Sequence, residues 1–352
     1  MTVPYDTLTT MYRMTTMQLL TALLMLYITH AAYCQSVSVD NFIKEAQKGK
    51  KEAQYNMGVC YEKGYGTEVD MAQAVTWYTL AAEQGFLKAQ YNLALCYEDG
   101  LGTEKDLAQA VHWYTLAAQQ GHAKAMYNMA LLYADTTNAI HDCALAIQWY
   151  TAAAEGGIPN AQYMLARSYL DGHCTKQDSL QAMHWYKQAA DNGNILSQTA
   201  LGLLLIDDKI KDNDTIAVQY LNKAAIRGNT RAQATLGSCY YRGQGVPQNY
   251  DTAAYWYFKA ANKGNVEAQT NLGVCYQNGH GVEQDYTMAV KYYNMAAYQN
   301  HDLAKYNLGL CYYYGYGVKQ DIRQAKFWLD KALQSGKLDN RTAKWVEKVL
   351  QE

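Results

Sequence analysis

The side chains best suited to chemistry in this 352-residue chain are its eight cysteines and eight histidines, and their spacing argues against most of that chemistry. Cys143 and Cys174 lie near His141, His173 and His184. Thiolate and imidazole together can hold zinc, and two thiols can form a bridge. No C-x-x-C or H-x-x-x-H spacing surrounds them, so a disulfide, a metal site and ordinary loop residues all stay open, the last being favoured. The chain also has no phosphate-binding glycine loop, no G-x-S-x-G elbow, no H-E-x-x-H and no S-x-x-K. The expectation is therefore no catalytic residues, no metal and no cofactor. With 30 basic and 32 acidic residues, the charge balance also gives no electrostatic case for nucleic acid.

The other feature of these side chains is recurrence. Cys60, Cys96, Cys239, Cys275 and Cys311 occupy one place in a pattern that repeats every 36 residues, and once every 35. The pattern opens at Ala53, Ala89, Ala125, Ala161, Ser197, Ala232, Ala268 and Ala304, with no linker between units. After each opening residue the apolar positions fall at i, i+4, i+7 and i+8, as Ala89, Leu93, Cys96 and Tyr97 do, which is one stripe of a helix. Glycine pairs such as Gly100/Gly102 and Gly279/Gly281 end that helix. An Asp or Asn, as at Asp106 and Asp285, then caps a second helix carrying an aromatic pair and two small residues, as in Trp113-Tyr114 with Ala117-Ala118. The large tryptophan is expected to fill the space between helices. A glycine closes each unit, with Asn300 as the exception.

The motif A-Q-x-N-L-G-x-C-Y-x-x-G-x-G-V-x-x-D-x-x-x-A-x-x-W-Y-x-x-A-A-x-x-G resembles the Sel-one-like repeat, a relative of the tetratricopeptide repeat, over about residues 40–336. The fold expected is all-α, a right-handed α-solenoid of about eight stacked helix-turn-helix repeats of 36 residues. Residues 53–339 hold the repeats, 37–52 an N-terminal capping helix and 340–352 a C-terminal one. The third unit lacks its turn glycines, the fourth has His173-Cys174 after Gly172, and the fifth loses both glycines, so looser turns are expected near 134–142 and 205–215. The resemblance implies a noncatalytic scaffold that binds proteins or peptides, as do many exported bacterial relatives acting in envelope assembly or host interaction. Some cysteine-rich relatives are associated with β-lactams, which makes a hydrolase the enzyme alternative. Here the second cysteine that would staple each repeat is missing. The in-register cysteines read instead as small buried hydrophobes, because stacked helices stand about 8–10 Å apart and a disulfide needs Cα atoms within about 7 Å.

In tetratricopeptide-like stacks the side of the first helix opposite its core stripe lines a concave groove. Here that side carries Tyr55, Val59 and Glu62; Tyr91, Leu95 and Glu98; Tyr127 and Leu131; Tyr163 and Arg167; Thr270, Val274 and Gln277; Tyr306, Leu310 and Tyr313. Tyrosines at 36-residue spacing would make a line of amphipathic anchors for a protein or peptide partner. The competing reading packs them against a second helix as core. Asn56, Asn92, Asn128, Asn271 and Asn307 form another ladder. Amide groups can read the backbone of an extended partner, but an internal bond between neighbouring repeats is the favoured role.

The first residues differ from the rest. Arg13, the apolar run Met17–Ile28 and the small residues of THAAYCQS read as a signal peptide over residues 1–34. Export to the periplasm or exterior follows as the expectation. The runner-up is an uncleaved anchor, making the protein a membrane-anchored envelope assembly factor. The run is short for a span, which needs about 20 apolar residues.

Overall fold

The computed structural model of the protein describes residues 39–207 and 213–351. The segment 1–34, read as a signal peptide, lies outside the described residues. Among the described residues there are eighteen helices and no strand. The chain forms two compact units, Met1–Ile158 and Pro159–Glu352.

In the first unit a short helix α1 (Val39–Gln47) precedes three hairpins: α2 (Lys51–Lys63) with α3 (Met71–Glu83), α4 (Leu87–Asp99) with α5 (Leu107–Gln119), and α6 (Ala123–Ala134) with α7 (Cys143–Glu155). The second unit holds five: α8 (Pro159–Asp171) with α9 (Ser179–Asp191), α10 (Ile195–Asp207) with α11 (Asp214–Ile226), α12 (Thr230–Arg242) with α13 (Tyr250–Ala261), α14 (Val266–Asn278) with α15 (Tyr286–Tyr298), and α16 (Asp302–Tyr314) with α17 (Ile322–Leu333). Helix α18 (Asn340–Gln351) follows. Within each unit every helix packs on its sequence neighbours, which is the α-solenoid arrangement. At the ends, α1 covers Ala53 and Met57 through Ala46, and α18 covers Leu329 through Val346 and Val349.

Each turn is built from the capping chemistry in the sequence. Gly100 ends α4 in the left-handed region at φ 72°, and the Asp106 carboxylate accepts Ala108 and Gln109 N–H at 2.9 and 3.0 Å to start α5. The turn is closed by Asp106 N–H donating to the Tyr97 carbonyl at 2.9 Å. The third repeat keeps that closure without glycines, through Asp142 N–H to the Tyr133 carbonyl at 3.0 Å. Its turn is held by side chains: Asp135 accepts Thr137 N–H at 2.9 Å, and His141 Nδ1 lies 2.8 Å from the Tyr133 carbonyl. The looser turn expected at 134–142 is thus replaced by a rebuilt one. In the fourth repeat Cys174 takes a left-handed φ of 61°.

Where a turn carries two glycines, they have different tasks. The first is a helix cap. The second is a contact between repeats: a Cβ on Gly102 would lie 2.2 Å from the Met71 carbonyl oxygen, and one on Gly281 2.1 Å from that of Tyr250. Only hydrogen fits there.

In the first two repeats the more deeply buried aromatic is not the expected tryptophan, whereas Tyr292 and Trp328 at that position are buried in the last two. Tyr78 and Tyr114 are completely buried, whereas the preceding Trp77 and Trp113 are only partly so. The stripe Ala74, Tyr78, Ala81 and Ala82 faces the first helix of the hairpin, where the Tyr78 ring lies against Gly58. A Cβ at Gly58 would lie 2.5 Å from that ring, and Gly237 and Gly273 meet Tyr257 and Tyr293 in the same way. A polar ladder also runs through the interior. Buried Gln90 donates to the Ala82 carbonyl at 3.2 Å and accepts from Gln120 at 2.7 Å. Gln54 makes the same pair of bonds with Ala46 and Gln84. Among the described residues no helix is long and apolar enough to cross a membrane.

Candidate functional site

Tyr55, Tyr91, Tyr127 and Tyr163, each two residues after an opening alanine, are half-buried, and each rests on the buried tyrosine of its own hairpin. In the first unit Tyr55 meets Tyr78 with ring centroids 5.8 Å apart, Tyr91 meets Tyr114 at 5.9 Å, and Tyr127 meets Tyr150 at 6.2 Å. The ring also touches the residue that caps the first helix of the next repeat, Phe86 at 5.2 Å for Tyr55 and His122 at 4.5 Å for Tyr91. These rings are therefore held at two edges while keeping a partly accessible surface. Of the residues beside them, Leu95 is half-buried and Leu131 exposed.

Their hydroxyls join a network that spans repeats. Tyr114 OH donates to Glu98 Oε2 at 2.5 Å, and Asn128 Nδ2 donates to Tyr114 OH at 3.0 Å and Tyr91 OH at 3.4 Å. One repeat earlier Tyr78 OH donates to Glu62 at 2.5 Å, with Asn92 close to both Tyr55 and Tyr78. Asn128 thus bridges two tyrosines of the repeat before it, and Asn92 occupies the equivalent place one repeat earlier. Burial, followed by the glutamate bond, pushes the Tyr78 and Tyr114 hydroxyls far above the usual phenolic range. Burial also raises the Glu98 carboxyl, against the lowering effect of the Tyr114 bond.

In the second unit Tyr163 rests on Tyr186 at 5.9 Å, and Arg167 pairs with Asp171 at 3.3 Å. Tyr293 OH donates to Gln277 Oε1 at 2.8 Å, and Asn307 lies close to the same hydroxyl. Asn271 is half-buried beside Thr270, which is buried and lies 2.8 Å from His301 Nδ1. Tyr306 and Tyr313 both meet Trp345 edge-on, at 6.5 and 5.8 Å, so α18 occupies part of their surroundings. In the first repeat Asn56 is half-buried.

The five in-register cysteines are buried thiols. Burial pushes Cys96, Cys239 and Cys311 up to about 11 and Cys275 up to about 12, well away from a nucleophilic thiolate. They act as packing groups. Cys143 and Cys174, by contrast, are disulfide-bonded, where the sequence favoured ordinary loop residues. Spacing alone carried no sign of this.

Two histidines give the site a pH response. His122 Nδ1 accepts Ala125 N–H at 3.1 Å, capping α6, and can do so only while that nitrogen is unprotonated. Burial, then Lys124, holds its pKa below the usual 6.5, and burial lowers His301 likewise. A base depressed in the folded state contributes stability that is present above the unfolded pKa and is lost as pH falls below it. The melting temperature should therefore drop on acidification from about 6.5 downward. Asn229 and Asn265 cap the equivalent helices, accepting Ala232 and Ala268 N–H at 2.9 and 2.8 Å. His122→Asn should keep the cap and flatten part of that pH dependence, as melting curves at successive pH values would show.

Eight contiguous helical hairpins sharing one interior pattern define a tandem α-hairpin repeat protein. The chain belongs to the Sel1 repeat family, whose model matches residues 51–86, 87–122, 123–158, 159–194, 195–229, 230–265, 266–301 and 302–337. Sel1 repeats commonly form protein-interaction scaffolds and are typically noncatalytic. Among solved structures the chain is similar to c5321, a protective antigen present in uropathogenic Escherichia coli strains: 30% identity over 91% of this chain and 79% of that one, TM-score 0.60. It is also similar to a Sel1 repeat protein from Oxalobacter formigenes, at 25% identity over 88% of this chain and 90% of that one, TM-score 0.62. No curated protein sequence matches it.

Proposed function

We propose that this chain is a noncatalytic, exported scaffold that binds a protein or peptide along the first-helix face of its repeats, with Tyr55, Tyr91 and Tyr127 as the principal anchors. One observation carries the reading: these rings are fixed by packing yet only half-buried. Rigid, partly exposed tyrosines bind at low entropic cost. In the second unit Tyr163, Arg167, Tyr306 and Tyr313 occupy equivalent first-helix positions and extend the proposal to that unit's own face. The asparagines serve mainly as bridges between tyrosines in this reading, with backbone reading by Asn56 and Asn271 as the remaining opportunity. Export is supported by the signal-like residues 1–34, by the disulfide-bonded state of Cys143 and Cys174, and by a relative that is an antigen.

Affinity capture with the full chain, set beside Tyr91→Ala/Tyr127→Ala, tests it. Partners should be recovered by the parent and lost from the variant, while circular dichroism shows the helical content retained. Equal recovery by both would remove this face as the binding site.

A further inference from the structure

Two successive repeats place a carboxylate where the fold needs only an acceptor. Glu62 and Glu98 accept the hydroxyls of Tyr78 and Tyr114 at 2.5 Å each. In the seventh repeat Gln277 does the same for Tyr293 at 2.8 Å, so an amide suffices. The third repeat has Ala134 there, and the fold forms with the Tyr150 hydroxyl lacking a partner among the described residues. A half-buried charge costs desolvation unless something answers it. Glu62 is answered by Lys63 at 2.6 Å. Glu98 has no ion pair among the described residues, and burial already raises its carboxyl. Its Oε2 is engaged by Tyr114, which leaves Oε1 to accept from outside. Leu95 and Tyr91 precede it by three and seven residues on one helical face. Tyr91 OH accepts from Asn128 and keeps its own proton for donation.

We propose that Glu98 receives the ammonium or guanidinium head of a lysine or arginine side chain from a bound peptide, with Leu95 and the Tyr91 ring alongside its aliphatic stem. The inference rests on the peptide-binding reading of this face and specifies the partner as a basic peptide. Charge complementarity selects it: a desolvated anion flanked by apolar carbon and an aromatic ring matches a long cationic side chain. Glu62 is the weaker equivalent, because Lys63 already meets its charge.

Random-peptide display on the full chain, followed by Kd measurement of the selected peptides, tests it. Selected peptides should carry lysine or arginine. Glu98→Gln should weaken them about tenfold or more, a charged hydrogen bond being worth more than a neutral one. Replacing the peptide's lysine by norleucine, or its arginine by citrulline, should cause a similar loss that is not additive with Glu98→Gln. The variant keeps an acceptor for Tyr114, so its melting temperature should match the parent's. Selected peptides that lack basic residues, or whose affinity ignores Glu98→Gln yet collapses with Tyr91→Ala, would overturn the cation assignment and leave the face standing. Peptides indifferent to Tyr91→Ala, or no selection at all, would sink both.

Discussion

Gly281→Ala should disrupt the seam between the sixth and seventh repeats, at about 3 kcal/mol or more. Its backbone sits at φ 70°, where a side chain is strained, and the new Cβ would lie 2.1 Å from the Tyr250 carbonyl oxygen and 2.6 Å from Asp251 N. Those atoms form the start of α13, so relief requires one repeat to move away from the next. Gly264→Ala is the control. Its φ is 87°, but nothing lies within 4 Å of the added carbon, so its cost is the left-handed strain alone, about 1 kcal/mol. Denaturant unfolding of both variants checks the difference. Hydrogen exchange should show new opening confined to helices α12–α15, since repeat stacks lose stability locally.

The second large effect concerns the buried tyrosines. Tyr114→Ala removes a fully buried ring and should cost about 3–5 kcal/mol, as large aromatic truncations do. The hydroxyl alone separates two cases. Tyr114→Phe leaves Glu98 and Asn128 without their shared partner and should destabilise by about 1–2 kcal/mol. Tyr150→Phe removes a buried hydroxyl that has no partner among the described residues, so it should be neutral or stabilising. A chemical-denaturation series on the three variants should rank Tyr114→Ala lowest and Tyr150→Phe at or above the parent.

Much of this architecture was legible in the sequence because tandem repeats display the same structural requirement several times over. The opening alanines, the Asp caps and the first turn glycines each answer a local backbone need, and local needs leave fixed spacings. Contacts between repeats were harder to read. Gly281 looks like a turn residue, and only the fold shows it pressed against the Tyr250 carbonyl. The W-Y pair suggested tryptophan as the filler, whereas Tyr78 continues the stripe of Ala74, Ala81 and Ala82 and is the ring that is buried. That i, i+4, i+7, i+8 spacing was available and would have picked the tyrosine. A glutamine like Gln90 follows most of the opening residues, and polarity alone does not reveal that it bonds across repeats in the interior. The face residues were placed by helical periodicity, but half-burial depends on neighbours supplied by other helices, such as Phe86 and His122.

Photo-crosslinking from two single sites with similar exposure tests the binding face most directly. Leu131, on the tyrosine-bearing face of α6, is 37% exposed, and Leu80, on the second helix α3, is 40% exposed. With a photoreactive residue at each in turn, a captured partner should become covalently attached through position 131 and remain free at position 80. Attachment at 80 with none at 131 would contradict the account.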